Sequence, residues 1–223
     1  MTTNTQLTIG EIAEILNSAG IPSLFGSDDA RVLIAIWRRL AEGDPIRQAD
    51  VSKISDALGV DRDAAEAFVR EISERDDDDN ILGVAGLSLN EHPHQFTVSG
   101  VRLSTWCAWD SLFLPPALGK EALAVSNSPS SGESITLTVT PEGVSSSSHP
   151  DAVVSMIMLD PAGDDGSSIE SIYMTFCQQV HFFANQAEAK EWSEGRDMKV
   201  VFLSLPDAFD LGKQAWASLL KYA

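Results

Sequence analysis

The chain has 223 residues, 43% of them hydrophobic, with 33 aspartates and glutamates against 15 lysines and arginines and a formal charge of −18. Such a length and hydrophobic content suit a packed globule of one large or two small domains and exclude a disordered chain. The acidic excess opposes binding to phosphate backbones and anionic lipid, so neither nucleic acid nor a membrane is expected as a partner.

After a polar, Thr-rich start, Ile9, Ile12, Ala13, Ile15 and Leu16 recur at helical spacing until Gly20-Ile21-Pro22. Val32, Leu33, Ile36, Trp37 and Leu40 form a second apolar stripe, with Asp28 or Asp29 as its cap and Gly43-Asp44-Pro45 as its break. Two shorter helices, over residues 48–58 and 62–75, are joined by Gly59-Val60-Asp61. Residues 1–79 thus read as a helical, winged-helix-like N-terminal subdomain, with residues 81–98 as the hairpin of the wing. That outline suggests DNA recognition, but residues 61–79 hold nine acidic residues and three basic ones, which repel phosphates. Asp76-Asp77-Asp78-Asp79 lacks the spaced ligands and the glycine of a calcium loop and reads as a solvated acidic turn.

From Ile81 the spacing turns to that of strands, over residues 81–89, 95–98 and 101–105. Glu91-His92-Pro93-His94 reads as a turn, lacking the spacing of a zinc site. Residues 121–127 and 134–140 pair across Ser128-Pro129-Ser130-Ser131-Gly132, and residues 143–150 read as a polar loop. A buried strand over 152–159, a surface loop over 160–168, a helix over 187–194, a strand over 199–204 and a final amphipathic helix over 206–222 complete the chain. Helices first and strands with packed helices afterwards give the class α+β, with residues 80–223 as an α+β domain carrying both cysteines.

Two stretches carry the chemistry. Trp106-Cys107-Ala108-Trp109-Asp110-Ser111-Leu112-Phe113-Leu114-Pro115 and Phe176-Cys177-Gln178-Gln179-Val180-His181-Phe182-Phe183-Ala184 contain the only two cysteines. A helix from Trp106, ended by Pro115-Pro116 and Gly119, puts Cys107 and Asp110 on one face. Thiolates bind soft metals, and a carboxyl in apolar surroundings has a raised pKa and can take up and return a proton. Two thiols and one such acid suit gripping a soft metal and protonating a group attached to it. Cys177 and His181 also share a face if helical, but one Cys and one His fall short of a closed metal shell, and His181 reads as a core residue. Two cysteines make no disulfide framework, Met1–Gln6 has no basic, apolar leader, and no apolar run approaches the ~20 residues of a bilayer span. A reducing cytoplasm is the expected compartment.

At these residues the sequence resembles the organomercurial lyase (alkylmercury lyase) family. The resemblance lies in Trp-Cys-Ala-x-Asp-Ser-Leu with Pro115 shortly after, then Phe-Cys-x-x-Val-His-Phe-Phe-Ala, in that order and with cysteines 70 residues apart (177 − 107 = 70). Weaker similarity runs from about Ala30 to Leu220, including Ser134-Ile135-Thr136-Leu137-Thr138-Val139 and Asp207-Ala208-Phe209-Asp210-Leu211-Gly212. Two positions depart from the pattern. Gln178 stands where many members have a further cysteine, and Trp109 stands where the residue is often small or aliphatic, so that its indole is expected to narrow the pocket or stack on substrate.

The resemblance implies an α+β enzyme of mercury detoxification that cleaves carbon–mercury bonds by protonolysis, giving a hydrocarbon and Hg(II). It implies Cys107 and Cys177 as mercury ligands and Asp110 as the proton relay, with mercury as substrate and product and no resident cofactor. External thiols are needed for turnover, with small thiols or a mercuric reductase as the Hg(II) acceptor. The alternative is a non-catalytic protein that holds Hg(II) or Cu(I) between the same thiols; such a protein has no use for Asp110. A thiol–disulfide oxidoreductase is disfavoured, since there is no Cys-x-x-Cys.

Overall fold

Thr8 and Glu11 start the first helix reciprocally: the Glu11 N–H donates to Thr8 Oγ1, and the Thr8 N–H donates to the Glu11 carboxylate at 2.7 Å. The computed structural model describes residues 7–20, 25–158 and 169–223; the expected loop 160–168 and the polar Met1–Gln6 lie outside them. Four helices come first, α1 (Ile9–Ser18), α2 (Ser27–Leu40), α3 (Gln48–Leu58) and α4 (Arg62–Glu71). Asp29 does cap α2, but from inside its first turn, where it accepts the Gly26 N–H. Gly59 closes α3 in the left-handed region at φ 66°, and the Asp61 carboxylate caps α4.

The expected helix over 62–75 stops at Glu71. Ile72 turns into the core, and Ser73–Arg75 becomes β1, paired antiparallel with β2 (Ile81–Val84). With β3 (Leu87–Ser88), β4 (His94–Val98), β5 (Val101–Thr105), β6 (Ala122–Asn127), β7 (Ser134–Thr140) and β8 (Gly143–Ser147) they form an antiparallel sheet in the order β1-β2-β3-β5-β4-β6-β7-β8. Residues 81–98, expected as one hairpin, run through three of its strands. β8 replaces the loop expected at 143–150. Its serines leave both faces polar, so it carries no alternation, and as an edge strand it needs none. A second, three-stranded sheet places β9 (Val153–Ile157) between β10 (Phe182–Phe183) and β11 (Val200–Ser204). All five β9 residues are buried, as a central strand requires.

The helix α5 (Asp110–Leu118) is apolar nearly all round and packs between β7, α2 and α8 (Leu205–Ala215). Pro115 and Pro116 lie inside α5 rather than ending it. The helix closes instead at Gly119, whose N–H reaches Pro116 O while the Lys120 N–H reaches Pro115 O. The helix expected over 206–222 breaks at Trp216 into α8 and α9 (Ala217–Leu220), and the break lets the Trp216 ring stack on Phe25 and on Phe113. The remaining helices are α6 (Ile169–Thr175), which the sequence pattern did not announce, and α7 (Gln186–Ser193), capped by Asn185.

One hydrophobic core runs through both halves of the chain. Trp37 of α2 is fully buried, donates its indole N–H to Val84 O at 2.9 Å, and lies 5.9 Å from the Phe113 ring of α5. The Asp76 carboxylate accepts the backbone N–H groups of Asp78 and Asn80, so the acidic run is a turn closed on itself. Among the described residues, no helix is long and apolar enough to cross a membrane.

Candidate active site

β5 ends at Thr105, and the chain then folds tightly on itself. Thr105 Oγ1 donates to Cys107 O at 2.9 Å, the Trp106 N–H donates to Gly86 O, and Ser111 Oγ donates to Ala108 O. The helix begins at Asp110, not at Trp106. Cys107 therefore meets Asp110 through a turn, in which the Cys107 N–H donates to Asp110 Oδ2 at 2.8 Å. A carboxylate at a helix N-terminus is well placed to accept such a bond.

The second segment leaves α6 in a single 3₁₀ turn, Cys177–Gln179, before entering β10. Ser155, fully buried in the middle of β9, holds it from beneath. Its Oγ donates to Gln179 O at 2.7 Å and accepts the His181 N–H at 2.9 Å, and its own N–H donates to His181 O. The Ala108 N–H donates to Val180 O at 3.1 Å, so the two segments are also joined directly.

These bonds bring together three groups that the sequence singles out. One ligand atom each from Cys107, Asp110 and Cys177 lies within 4.8 Å of the others, all three residues are buried, and both cysteines are free. Burial pushes the Asp110 carboxyl up to about 7, against the lowering effect of the hydrogen bonds from the Cys107 N–H and thiol and of nearby His92. Burial also holds the Cys107 thiol well above its usual range, helped by its hydrogen bond to the Cys177 sulfur and by the Asp110 charge. That same hydrogen bond pulls Cys177 down, but burial and the Asp110 charge outweigh it and leave its pKa raised. An acid poised near 7 beside two neutral thiols can take a proton from one of them and deliver it elsewhere.

Two features that build this arrangement, the Ala85-Gly86 turn and Ser155, escaped the sequence reading. Ala85 (φ 39°) and Gly86 (φ 98°) make the tight turn between β2 and β3, whose backbone presses on Asp110. A Cβ at position 86 would lie 2.8 Å from Asp110 Cγ, so the turn accepts only glycine there. The signal for it was Ala-Gly between two short apolar runs. The signal for Ser155 was a lone hydroxyl in Val153-Val154-Ser155-Met156-Ile157, since a polar group in a buried strand needs partners.

Other candidates lie elsewhere. Trp109 packs into the core. Its indole N–H donates to Ala208 O of α8 at 2.8 Å, its ring meets Phe113 and Phe176 edge-on, and it is 1% exposed. Gly212 of α8 lies beside it and leaves room chiefly for Phe113, since a Cβ on Gly212 would stand 3.1 Å from Phe113 Cβ but only in ordinary contact, 3.5 Å, with Trp109 Nε1. Gln178 points its amide to Met174 Sδ. The His181 ring packs against His94, Phe183 and Trp192, and burial lowers its pKa to about 4. His92 and His94 diverge, one to Glu74 and the other to Ser126, and so form no metal pair.

Comparison with known proteins points one way. A family model described as MerB, alkylmercury lyase, matches residues 87–217. An alkylmercury lyase of Pseudomonas putida is 34% identical over 204 residues, spanning 91% of this chain and 89% of that protein. One from Streptomyces lividans is 34% identical over 189 residues, with 83% of each covered. One from Staphylococcus epidermidis is 32% identical over 184 residues, covering 82% and 80%. In fold, the chain matches the crystal structure of the mercury-bound form of MerB2 with a TM-score of 0.70 over 96% of this chain and 100% of that one, at 21% identity.

Proposed function

This chain belongs to the alkylmercury lyase family, and we propose that it cleaves the carbon–mercury bond of organomercurials with Cys107, Cys177 and Asp110 as the working groups. The observation that carries this reading is the convergence of two free thiols and a proton-poised carboxyl within 4.8 Å in a buried site.

Cys177 is the less deeply buried cysteine, 6% exposed as a residue against 0% for Cys107, and its thiol is raised less strongly than that of Cys107. It therefore takes the mercury first, and its proton leaves with the displaced thiolate that carried the substrate, which departs as a thiol. Cys107 passes its proton to the Asp110 carboxylate and binds the same mercury as a second thiolate, and electron density from two sulfurs weakens the Hg–C bond. Asp110 returns the proton to carbon, the Hg–C bond breaks, the hydrocarbon leaves, and Hg(II) remains between the thiolates. The organomercury thiolate of Cys177 and the Cys107 thiol thus become a hydrocarbon and a bis-thiolate mercury. No redox change occurs, and the scheme calls on no organic cofactor. Two external thiols, from small molecules or from a mercuric reductase, exchange the metal out and restore the enzyme. Free thiols suit a reducing cytoplasm. On this reading residues 80–223 are the catalytic domain and residues 1–79 a mainly helical subdomain that covers it and lends β1 to its sheet.

A protein that only stored the metal would have no need of a buried carboxyl at position 110, which costs stability when ionised. Incubation with phenylmercury or methylmercury plus excess thiol, followed by analysis of benzene or methane, tests the reading. Catalytic release of hydrocarbon is expected; mercury bound without hydrocarbon would make the protein a soft-metal binder.

A further inference from the structure

A cleft of about 330 Å³ opens beside the cysteine segments, walled by Ile72, Glu74, His92, Trp106 and Tyr173. The first segment supplies Trp106, directly before Cys107, and α6 supplies Tyr173, four residues before Cys177. The two rings meet edge to face at 5.5 Å, and His92 meets Tyr173 in the same way at 6.1 Å. Glu74 of β1 ties this wall together. Its carboxylate accepts the Trp106 indole N–H, Ser88 Oγ at 2.8 Å, Asn90 Nδ2 at 2.7 Å, and pairs with His92 Nε2 at 3.0 Å. Burial alone would push the Glu74 carboxyl up, but the bonds from His92, Asn90 and Ser88 outweigh it, and its pKa ends below the usual value. Gly83 makes room for the cluster, since a Cβ there would stand 2.6 Å from Ser88 Oγ and 2.9 Å from Glu74 Cδ. The proton relay uses none of these groups.

We propose that this cleft is the subsite for the organic group, that it favours arylmercurials, and that Trp106 and Tyr173 contact the aryl ring while Glu74 acts as a positioning residue for Trp106. The proposal rests on the lyase reading. The cleft is about twice the ~150 Å³ of an engineered apolar cavity that binds benzene, so a phenyl group fits. The cleft wall lies close enough to the site for His92 to act on the Asp110 carboxyl and for the Cys177 charge to act on Tyr173, and a flat ring directed into it from thiol-bound metal would gain edge and face contacts that a methyl group is too short to make. The stacking expected of Trp109 belongs on this proposal to Trp106 and Tyr173.

The test is the ratio of kcat/KM for phenylmercury to that for methylmercury in the wild type, Tyr173→Ala, Tyr173→Phe and Glu74→Gln. Removing the ring in Tyr173→Ala is expected to lower the ratio about five- to tenfold, and Tyr173→Phe, which keeps the ring, to restore most of it. Glu74→Gln should lower the ratio by a smaller factor, because an amide oxygen cannot accept from all the donors that meet the carboxylate. An unchanged ratio in Tyr173→Ala, or a failure of Tyr173→Phe to restore it, overturns the proposal. If the wild type cleaves neither compound, the lyase reading fails separately. Competitive capture of the two mercurials by the thiols then decides the cleft: a fall in the phenyl-to-methyl capture ratio in Tyr173→Ala supports it, and an unchanged ratio overturns it.

Discussion

Cys107 and Cys177 reach one site from two kinds of support. Cys107 lies in a turn bound to its own surroundings, with its N–H on Asp110, its carbonyl on Thr105 and the next residue's N–H on Val180. Cys177 hangs in one 3₁₀ turn between α6 and β10 and is steadied mainly from below, through the hydroxyl of Ser155. The first segment therefore holds thiol and acid as one rigid unit, suited to moving a proton over a fixed distance. On the proposed mechanism the second presents the thiol that meets incoming mercury. Capture and protonolysis are assigned to different halves of the same site, and substitutions should separate them.

The largest effect is expected from the thiols themselves. Cys107→Ser and Cys177→Ser should each lower turnover by at least about 10³-fold, as removal of a nucleophile does elsewhere. Bound mercury should distinguish them, because Cys177→Ser slows capture while Cys107→Ser still captures through Cys177 and then stalls. Equal capture rates in the two variants would end the division of labour.

The buried acid leaves a signature in stability. The Asp110 pKa rises from 3.8 to about 7 on folding, so between those values the folded chain holds a proton that the unfolded chain has released. Stability from this group is intact below about pH 4 and is lost as pH rises to about 7, by roughly 4 kcal/mol in all. His94 and His181 act in the opposite sense. Burial lowers them to about 3 and about 4, so their contribution is lost as pH falls below 6.5. Subtracting the wild-type denaturation curve from that of Asp110→Asn cancels the histidines. The variant should gain stability relative to wild type from pH 4 to 7, and a flat difference would mean that folding does not raise the carboxyl's pKa.

Two smaller perturbations address one half each. Gly86→Ala forces a Cβ against Asp110 at a φ of 98° and should cost about 2–3 kcal/mol, slowing hydrocarbon release more than capture. Ser155→Ala leaves the His181 N–H unpaired below Cys177 and should cost about 1–2 kcal/mol, slowing capture more than release. Chemical denaturation gives the energies, and stopped-flow capture with quenched product analysis gives the rates. If both variants slow both steps alike, the halves are one mechanical unit.

Where local pattern and turn residues agree, the sequence alone is a sufficient guide. Gln48–Leu58, Val101–Thr105 and Ser134–Thr140 fall on the bounds their apolar spacing and flanking Gly, Pro and Ser suggest. The misses are tertiary in origin. Ser-Glu-Arg at 73–75 continues a helical pattern and is a strand only because β2 pairs with it. Pro115-Pro116 looks like a stop, yet α5 runs on to its glycine closure in a site where burial outweighs the lost N–H groups. The meeting of Cys107 with Cys177 came from resemblance and from no periodicity, because 70 residues separate them. Asp110 was legible as an acid near a thiol, whereas its contact with Gly86 was not, since neither residue's neighbours hint at the other. A large residue beside a reactive cysteine suggests a pocket wall, and only the indole bond to Ala208 and the 1% exposure of Trp109 show that it packs into the core.

The central claim is that Asp110 carries the proton of a cysteine thiol to carbon, and a single turnover without added thiol tests it most directly. Phenylmercury would be mixed with excess wild-type or Asp110→Asn protein, with bound mercury and released benzene followed together. The wild type should bind the metal and release stoichiometric benzene, its proton coming from the enzyme. Asp110→Asn should bind as much mercury and release benzene at least about 10²-fold more slowly. Benzene released by Asp110→Asn at the wild-type rate would contradict the account.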